Sequence, residues 1–229
     1  MLAWLERDDP FPPLEAALKE PNGLLCAGAD LSVERLLAAY RRGIFPWYSG
    51  GEPILWWSPD PRMVLYCDEL KVSRSLAKNF RNKGFELRID SAFSRVIGAC
   101  AEPRKRESGT WISKQMQAAY VALHRAGHAH SFETWHGDRL VGGLYGVAIG
   151  RAFFGESMFS RATDASKVAL VCLVETLRER AMPMIDCQQR TPLLASLGAR
   201  EIPRRQFLRR LEALVNYRET AEQWSRVPA

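Results

Sequence analysis

The spacing of apolar residues along this chain switches from a helical period to an alternating one and back, and that switching outlines its elements. Residues 31 to 42 read as a helix. Val33, Leu36, Leu37 and Tyr40 share a face, Ser32 is placed to cap the start, and Gly43 stands where a helix-ending glycine belongs. Helices are also expected over residues 72 to 82 and 113 to 126, the second with Met116, Ala119, Tyr120 and Leu123 on one face. From Ser131 to His136 apolar and polar residues alternate. Gly137-Asp138 then offers a hairpin turn, Leu140 to Ile149 a second strand, Gly150-Arg151 another turn, and Ala152 to Phe159 a third strand. An antiparallel meander is therefore predicted. Asp164 is placed to cap a helix through about Arg180, with Leu170, Leu173, Val174 and Leu177 facing the core. Met184 to Cys187 reads as a short buried strand, and Thr191-Pro192 and Gly198 bracket a brief helix.

Pro53, Pro59 and Pro61 exclude a helix between the first helix and Arg62, so strand and turn lead into Met63-Val64-Leu65-Tyr66. A small unit is expected to close near residue 65. The expected fold class is α+β: a small N-terminal α/β domain over residues 1–65 and a larger C-terminal domain over 66–229. Three strands, a helix, a strand and a helix over residues 130 to 200 is the order of an acetyltransferase-like (GNAT) core, although other α+β folds share it.

With 229 residues, 47% hydrophobic and 25% charged, the chain has the make-up of an ordinary soluble globular protein of at most two domains. Its five cysteines are odd in number, scattered, and free of any C-x-x-C or His-paired spacing, which points to reduced thiols and away from disulfides or zinc. The N-terminus turns acidic at Glu6, Asp8 and Asp9 before a signal-peptide core can form, and no apolar run reaches membrane-spanning length. A cytoplasmic protein with no membrane partner is expected. Net charge is +6, and its distribution adds more than its size. Lys71, Arg74, Lys78, Arg81 and Lys83 form one basic group, Arg104, Lys105 and Arg106 a second, and Arg200, Arg204, Arg205, Arg209 and Arg210 a third. Such asymmetry suits a phosphate-bearing partner, and each group taken alone equally suits a solvated helix face.

Candidate chemistry concentrates late in the chain. Glu156 sits between Phe153-Phe154 and Met158-Phe159, so its carboxylate must be partly desolvated or have a dedicated partner. Asp186 and Gln188 end a strand and point to the same side if that strand continues, a pair able to orient an amine and accept its proton, or else to satisfy loop backbone. The histidines His124, His128, His130 and His136 lack a nucleophile motif or H-E-x-x-H, and they read as structural. No Walker loop and no G-x-G-x-x-G is present. No metal and no cofactor is expected. Among the tryptophans, Trp47 follows Pro46 in a loop-like stretch and offers a stacking surface.

Several blocks carry a resemblance. Tyr40-Arg41-Arg42-Gly43-Ile44-Phe45-Pro46-Trp47, Leu55-Trp56-Trp57-Ser58-Pro59-Asp60-Pro61-Arg62, Gly109-Thr110-Trp111-Ile112 and Gly127-His128-Ala129-His130-Ser131 lie in the first half. Leu140 to Val147, Gly155-Glu156-Ser157-Met158-Phe159-Ser160, Ala165-Ser166-Lys167 and Ile185-Asp186-Cys187-Gln188 follow in order. Together they closely resemble the leucyl/phenylalanyl-tRNA protein transferases of bacteria. That resemblance implies a GNAT-like C-terminal domain related to the Fem peptidyltransferases. It also implies transfer of leucine or phenylalanine, less readily methionine, from tRNA to proteins beginning with arginine or lysine, which marks them for degradation. A monomer working without cofactor or metal is implied as well.

On matching positions the resemblance implies roles. Asp186 and Gln188 would handle the attacking amine, Asp186 as proton acceptor or as electrostatic partner of Gln188. Glu156 would hold the aminoacyl amine or shape the pocket, and Leu144, Met158 and Leu170 would line it. Trp47, Tyr40, Trp111 and Tyr120 fall on positions near the tRNA 3′ end, where stacking on the terminal adenosine suits them, and Arg74, Lys78, Arg81 and Lys83 would grip the acceptor stem. One departure is Leu193, where the family commonly carries a histidine. The rival reading is a GNAT-type N-acyltransferase using acetyl-CoA, disfavoured because Ser160 to Ala165 contains no glycine to cradle a pyrophosphate. A noncatalytic RNA-binding module is the third.

Overall fold

The computed structural model describes residues 2–103, 110–217 and 224. Four short strands form the first sheet: β1 (Ala3–Leu5), β2 (Leu24–Gly28), β3 (Phe45–Pro46) and β4 (Leu55–Trp57), in the order β1-β2-β4-β3. Helix α1 (Val33–Arg41) packs beside them, and the Ser32 side chain accepts the Arg35 N–H at 3.3 Å, as its capping position predicts. Gly43 ends this helix with φ 72°, and a Cβ there would lie 2.9 Å from both Phe207 and Leu208. Glycine here serves both the left-handed turn and the close approach of a distant helix.

The remaining elements are β5 (Arg62–Tyr66), α2 (Arg74–Asn82), β6 (Glu86–Ile89), α3 (Phe93–Cys100), α4 (Lys114–Arg125), β7 (Ala129–His136), β8 (Arg139–Ile149), β9 (Ala152–Ser160), α5 (Ala165–Glu179), β10 (Met184–Gln188), α6 (Pro192–Ser196), β11 (Arg200–Ile202) and α7 (Arg204–Val215). Their strands make a seven-stranded sheet in the order β11-β5-β10-β9-β8-β7-β6. The expected meander is β7-β8-β9, antiparallel throughout. Strand β10 then returns parallel to β9, which is why a helix must separate them in sequence. This parallel pairing covers Met184–Asp186 against Ala152–Phe154, after which the two strands part.

The break expected near residue 65 falls inside β5, a strand of the larger sheet, so the smaller sheet ends at Trp57. One apolar core continues from Trp56 and Tyr40 beneath the first sheet to Phe93, Tyr120, Tyr145 and Phe154 on one face of the second. The other face packs Phe132, Leu144 and Phe153 against Leu170, Leu173 and Val174 of α5. With both faces covered, the alternation of β7 does not mark a solvent side: Ser131 and Glu133 are fully buried. Glu133 is satisfied there by the Ala92 N–H and the Ser131 hydroxyl at 2.8 Å each, by the Trp135 ring N–H at 3.1 Å, and by Ser91.

Asp164 does not cap α5 with its side chain. It adopts φ 67°, and its carboxylate bonds Asn79 at 2.7 Å and Lys167 at 2.8 Å instead. All five cysteines are buried and none is in a disulfide. Among the described residues, no helix is long and apolar enough to cross a membrane, and no group of three His, Cys, Asp or Glu could hold a metal ion.

The first turn of α5 lies directly on β8 at Gly142, where a Cβ would fall 2.5 Å from the Ala165 Cβ and 2.7 Å from its backbone. Neither neighbour can yield without moving the helix. Gly142→Ala is expected to destabilise the fold by about 1–3 kcal/mol, the usual range for overpacking, read as a lower urea midpoint at unchanged m-value. A midpoint equal to that of the parent would contradict this packing.

Candidate functional site

Where β9 and β10 part, the sheet opens into a cavity of about 360 Å³. Leu144, Met158, Leu170, Leu173 and Ile185 give it apolar walls, and Phe45, Pro46, Trp47 and Trp111 continue the lining toward Trp47, which is 39% exposed. The three residues expected to line a pocket, Leu144, Met158 and Leu170, are thus brought together, and so are Trp47 and Trp111. Leu193 lines the same cavity, so the position where a histidine was expected adds an apolar wall here.

Glu156, Ser157, Gln188 and Thr191 supply polar groups to this cavity. Glu156 is the strongest of them. One carboxylate oxygen accepts the Tyr40 hydroxyl at 2.7 Å and the Gln188 carboxamide N–H at 3.0 Å, and the other accepts the Tyr120 hydroxyl at 2.8 Å. The two tyrosine hydroxyls also touch each other. Burial pushes the Glu156 carboxyl from its ordinary 4.5 up to about 7, against the opposing pull of the two tyrosine hydrogen bonds. Burial likewise raises the phenols of Tyr40, Tyr120 and Tyr145, so all three remain neutral, and the first two are the donors to Glu156. Tyr40 and Tyr120 are wholly buried, which removes them as stacking surfaces for a base and makes them supports of Glu156.

Asp186 and Gln188 do not share a side. The register of β10 shifts between them, and Gln188 takes φ 56°, so the carboxamide turns into the cavity while Asp186 is 1% exposed behind it. Asp186 meets Arg62 in a two-pronged pair, Nε to Oδ1 at 2.8 Å and Nη2 to Oδ2 at 2.7 Å, and Oδ1 also accepts the Gln188 N–H at 3.0 Å. Sequence reasoning did not reach Arg62, which is fully buried and 124 positions from Asp186. Its place just after Pro59 and Pro61 masked it as a turn residue.

The basic residues expected to hold RNA lie on or just after α2. Arg74 and Lys78 are exposed there, Lys83 donates to the Thr163 carbonyl at 3.1 Å, and the Arg81 side chain lies outside the described residues. Arg104, Lys105, Arg106 and Gly109 lie outside them as well. Of the histidines, His124 stacks on Phe93 and His130 bonds Asp90 at 2.8 Å, in keeping with structural roles.

An apolar hollow of this size beside a partly buried carboxyl that forms no ion pair among the described residues has the chemistry of a site for an amino acid with a large apolar side chain. Comparison with known proteins carries this further. Residues 64–212 match the family described as leucyl/phenylalanyl-tRNA protein transferase, and residues 29–60 match the N-terminal domain of the same family. A protein of that name from Nitrosospira multiformis is 60% identical over 98% of this chain and 97% of its own length. Those from Nitrosomonas europaea and Stutzerimonas stutzeri are 63% and 60% identical, over 93% and 98% of this chain and 91% and 99% of their own lengths. The chain belongs to the leucyl/phenylalanyl-tRNA protein transferase family.

The raised Glu156 carboxyl sets a pH dependence. Between about 4.5 and 7 the folded protein binds a proton at this group that the unfolded chain has released, so this group's contribution to stability declines as pH rises through that window. Glu156→Gln removes the effect. The variant is expected to gain on the order of 2–3 kcal/mol over the parent on going from pH 4 to pH 8, the gain developing as pH rises. Parallel curves of melting temperature against pH for the two proteins would show that Glu156 carries no such shift.

Proposed function

We propose that this chain transfers leucine or phenylalanine, and less readily methionine, from aminoacyl-tRNA to the α-amine of proteins that begin with arginine or lysine, giving them a destabilising N-terminus. The observation that carries the reading is Glu156, a partly buried carboxyl at the end of an apolar cavity that accepts three neutral donors and forms no ion pair among the described residues. The transferred side chain occupies the hollow of Leu144, Met158 and Leu170, where the flexible Met158 admits both leucine and phenylalanine shapes. Its ammonium lies against Glu156, which such a cation holds in the ionised form.

The reaction is aminolysis of an ester. The acceptor amine attacks the ester carbonyl, a C–N bond forms, the C–O bond to the ribose breaks, the amine loses a proton and the ribose oxygen gains one. The ester supplies the driving force. Gln188, whose carboxamide enters the cavity, orients the reacting amine, and Asp186 acts through Gln188 as its electrostatic partner. Its burial against Arg62 supports that one of its two expected roles. Trp47 and Trp111 offer the surfaces for the terminal adenosine, and Arg74, Lys78, Arg81 and Lys83 the charge for the acceptor stem. All of these residues come from one chain, and a cytoplasmic monomer is the working unit of this reading.

The larger sheet fits a GNAT-like core in that a meander is followed by a parallel strand that parts from it, with the site in the gap. We place the boundary between the two units at residues 57 to 62, between the two sheets and where the two family matches meet. Coenzyme A is disfavoured: the start of α5, where its pyrophosphate would lie, presents the Asp164 carboxylate.

The purified chain is expected to pass labelled phenylalanine from charged tRNA to a peptide beginning with lysine and to form no acetylated peptide from acetyl-CoA. No labelled peptide with any of Leu-, Phe- or Met-tRNA would refute the assignment. Replacing Arg74 and Lys78 together by alanine should flatten the dependence of log affinity for tRNA on log salt by about 1–2, up to one phosphate each. An unchanged slope would return both residues to the solvated surface.

A further inference from the structure

Beneath the cavity, Arg62 makes contacts in excess of what a strand residue needs. Its side chain is fully buried on β5, two of its nitrogens grip both oxygens of Asp186, and its guanidinium lies between the rings of Phe45 at 4.8 Å and Phe207 at 4.7 Å. That combination of a planar fork and two stacking faces belongs to arginine and not to lysine. Phe45 is part of the cavity lining, so the same guanidinium bears on a wall of the site and on the carboxylate behind it. On the far side, Asp186 accepts the N–H of Gln188, and Gln188 stands at a register shift with φ 56°. A residue with a side chain holds that left-handed conformation where its surroundings over-determine it. The bond to Asp186 fixes the Gln188 backbone, and the bond from its carboxamide to Glu156 at 3.0 Å fixes the other end.

We infer that Arg62 is a positioning residue for the transfer reaction: it locks the Asp186 carboxylate in place, and Asp186 in turn holds Gln188 in the backbone conformation that delivers its carboxamide to Glu156. This rests on the transfer reading of the site. Arg62 itself touches no substrate. Without it, Asp186 becomes an unpaired buried anion, which must turn toward other donors or take up a proton, and either change loosens its bond to the Gln188 N–H. A purely structural Arg62 would change stability and leave the rate per folded molecule alone.

Arg62→Lys separates these cases, because it leaves Asp186 in place, and a double variant tests whether the pair as a unit holds Gln188. Arg62→Met combined with Asp186→Leu replaces the ion pair by apolar groups of similar bulk, an exchange that stability often tolerates. The double variant is expected to fold, to lose at least about tenfold in kcat, and to keep KM for charged tRNA within about twofold. Its Gln188 backbone amide should exchange with solvent at least about tenfold faster than in the parent. A folded double variant with kcat within about twofold of the parent overturns the inference, as does unchanged exchange at Gln188. For Arg62 itself Arg62→Lys decides whatever the double variant does, since it keeps the charge and Asp186 and loses the fork: a retained fold with kcat down about tenfold supports positioning, and parental kcat refutes it. Loss of the fold in both variants assigns Arg62 to structure alone. A parent chain without transfer activity would refute the assignment of function separately, and the exchange rates at Gln188 would still decide the role of Arg62.

Discussion

Strands β9 and β10 run side by side for three residue pairs and then separate, and the site exists because of that separation. A sheet that stayed closed would fill this volume with backbone hydrogen bonds and leave no hollow. Two features keep it open. On β9, the register against β8 shifts at the level of Gly155 to Ser157, which swings Glu156 out of the regular alternation. On β10, the shift between Asp186 and Gln188 ends the strand with a left-handed residue. Irregularity on both sides of the gap places a carboxylate and a carboxamide across it at hydrogen-bond distance.

Buried charge is handled in two opposite ways within a short stretch of the fold. Arg62 and Asp186 are matched, each oxygen to a nitrogen, and the guanidinium lies over the rings of Phe45 and Phe207 just behind the cavity wall. Such a pair contributes little net stability once desolvation is counted, and its effect is to fix geometry. Glu156 receives hydroxyl and amide donors, and burial raises its carboxyl to about 7 against their pull. The tyrosines complete this arrangement, because their raised pKa values keep them as neutral donors to the carboxylate.

The small sheet and α7 bear on the site through their packing. Phe45 and Trp47 reach the cavity from the segment after Gly43, and Gly43 lies against Phe207 and Leu208 of α7. Phe207 then closes one face of the Arg62 guanidinium. One apolar core runs through all of these elements, so the cavity wall and the support behind it belong to a single packed body.

Local sequence determined the helices α1, α4 and α5 and the meander β7-β8-β9, because their apolar period, their turns at Gly137 and Gly150, and the Ser32 and Ser113 caps act within a few residues. It also marked Glu156 as unusual, since a carboxylate inside an apolar strand must find a partner. The short strands β1, β6 and β11 carry too few residues for a period to show, and α3 and α7 were not outlined by their spacing. Tertiary structure alone decided that Asp186 and Gln188 face apart, that Tyr40 and Tyr120 are buried with their hydroxyls on the Glu156 carboxylate, and that Arg62 pairs with Asp186. The reason is range. Tyr40 stands 116 positions from Glu156, and Arg62 124 from Asp186, so their meeting depends on how sheets and helices stack and on one left-handed residue that no local spacing announces.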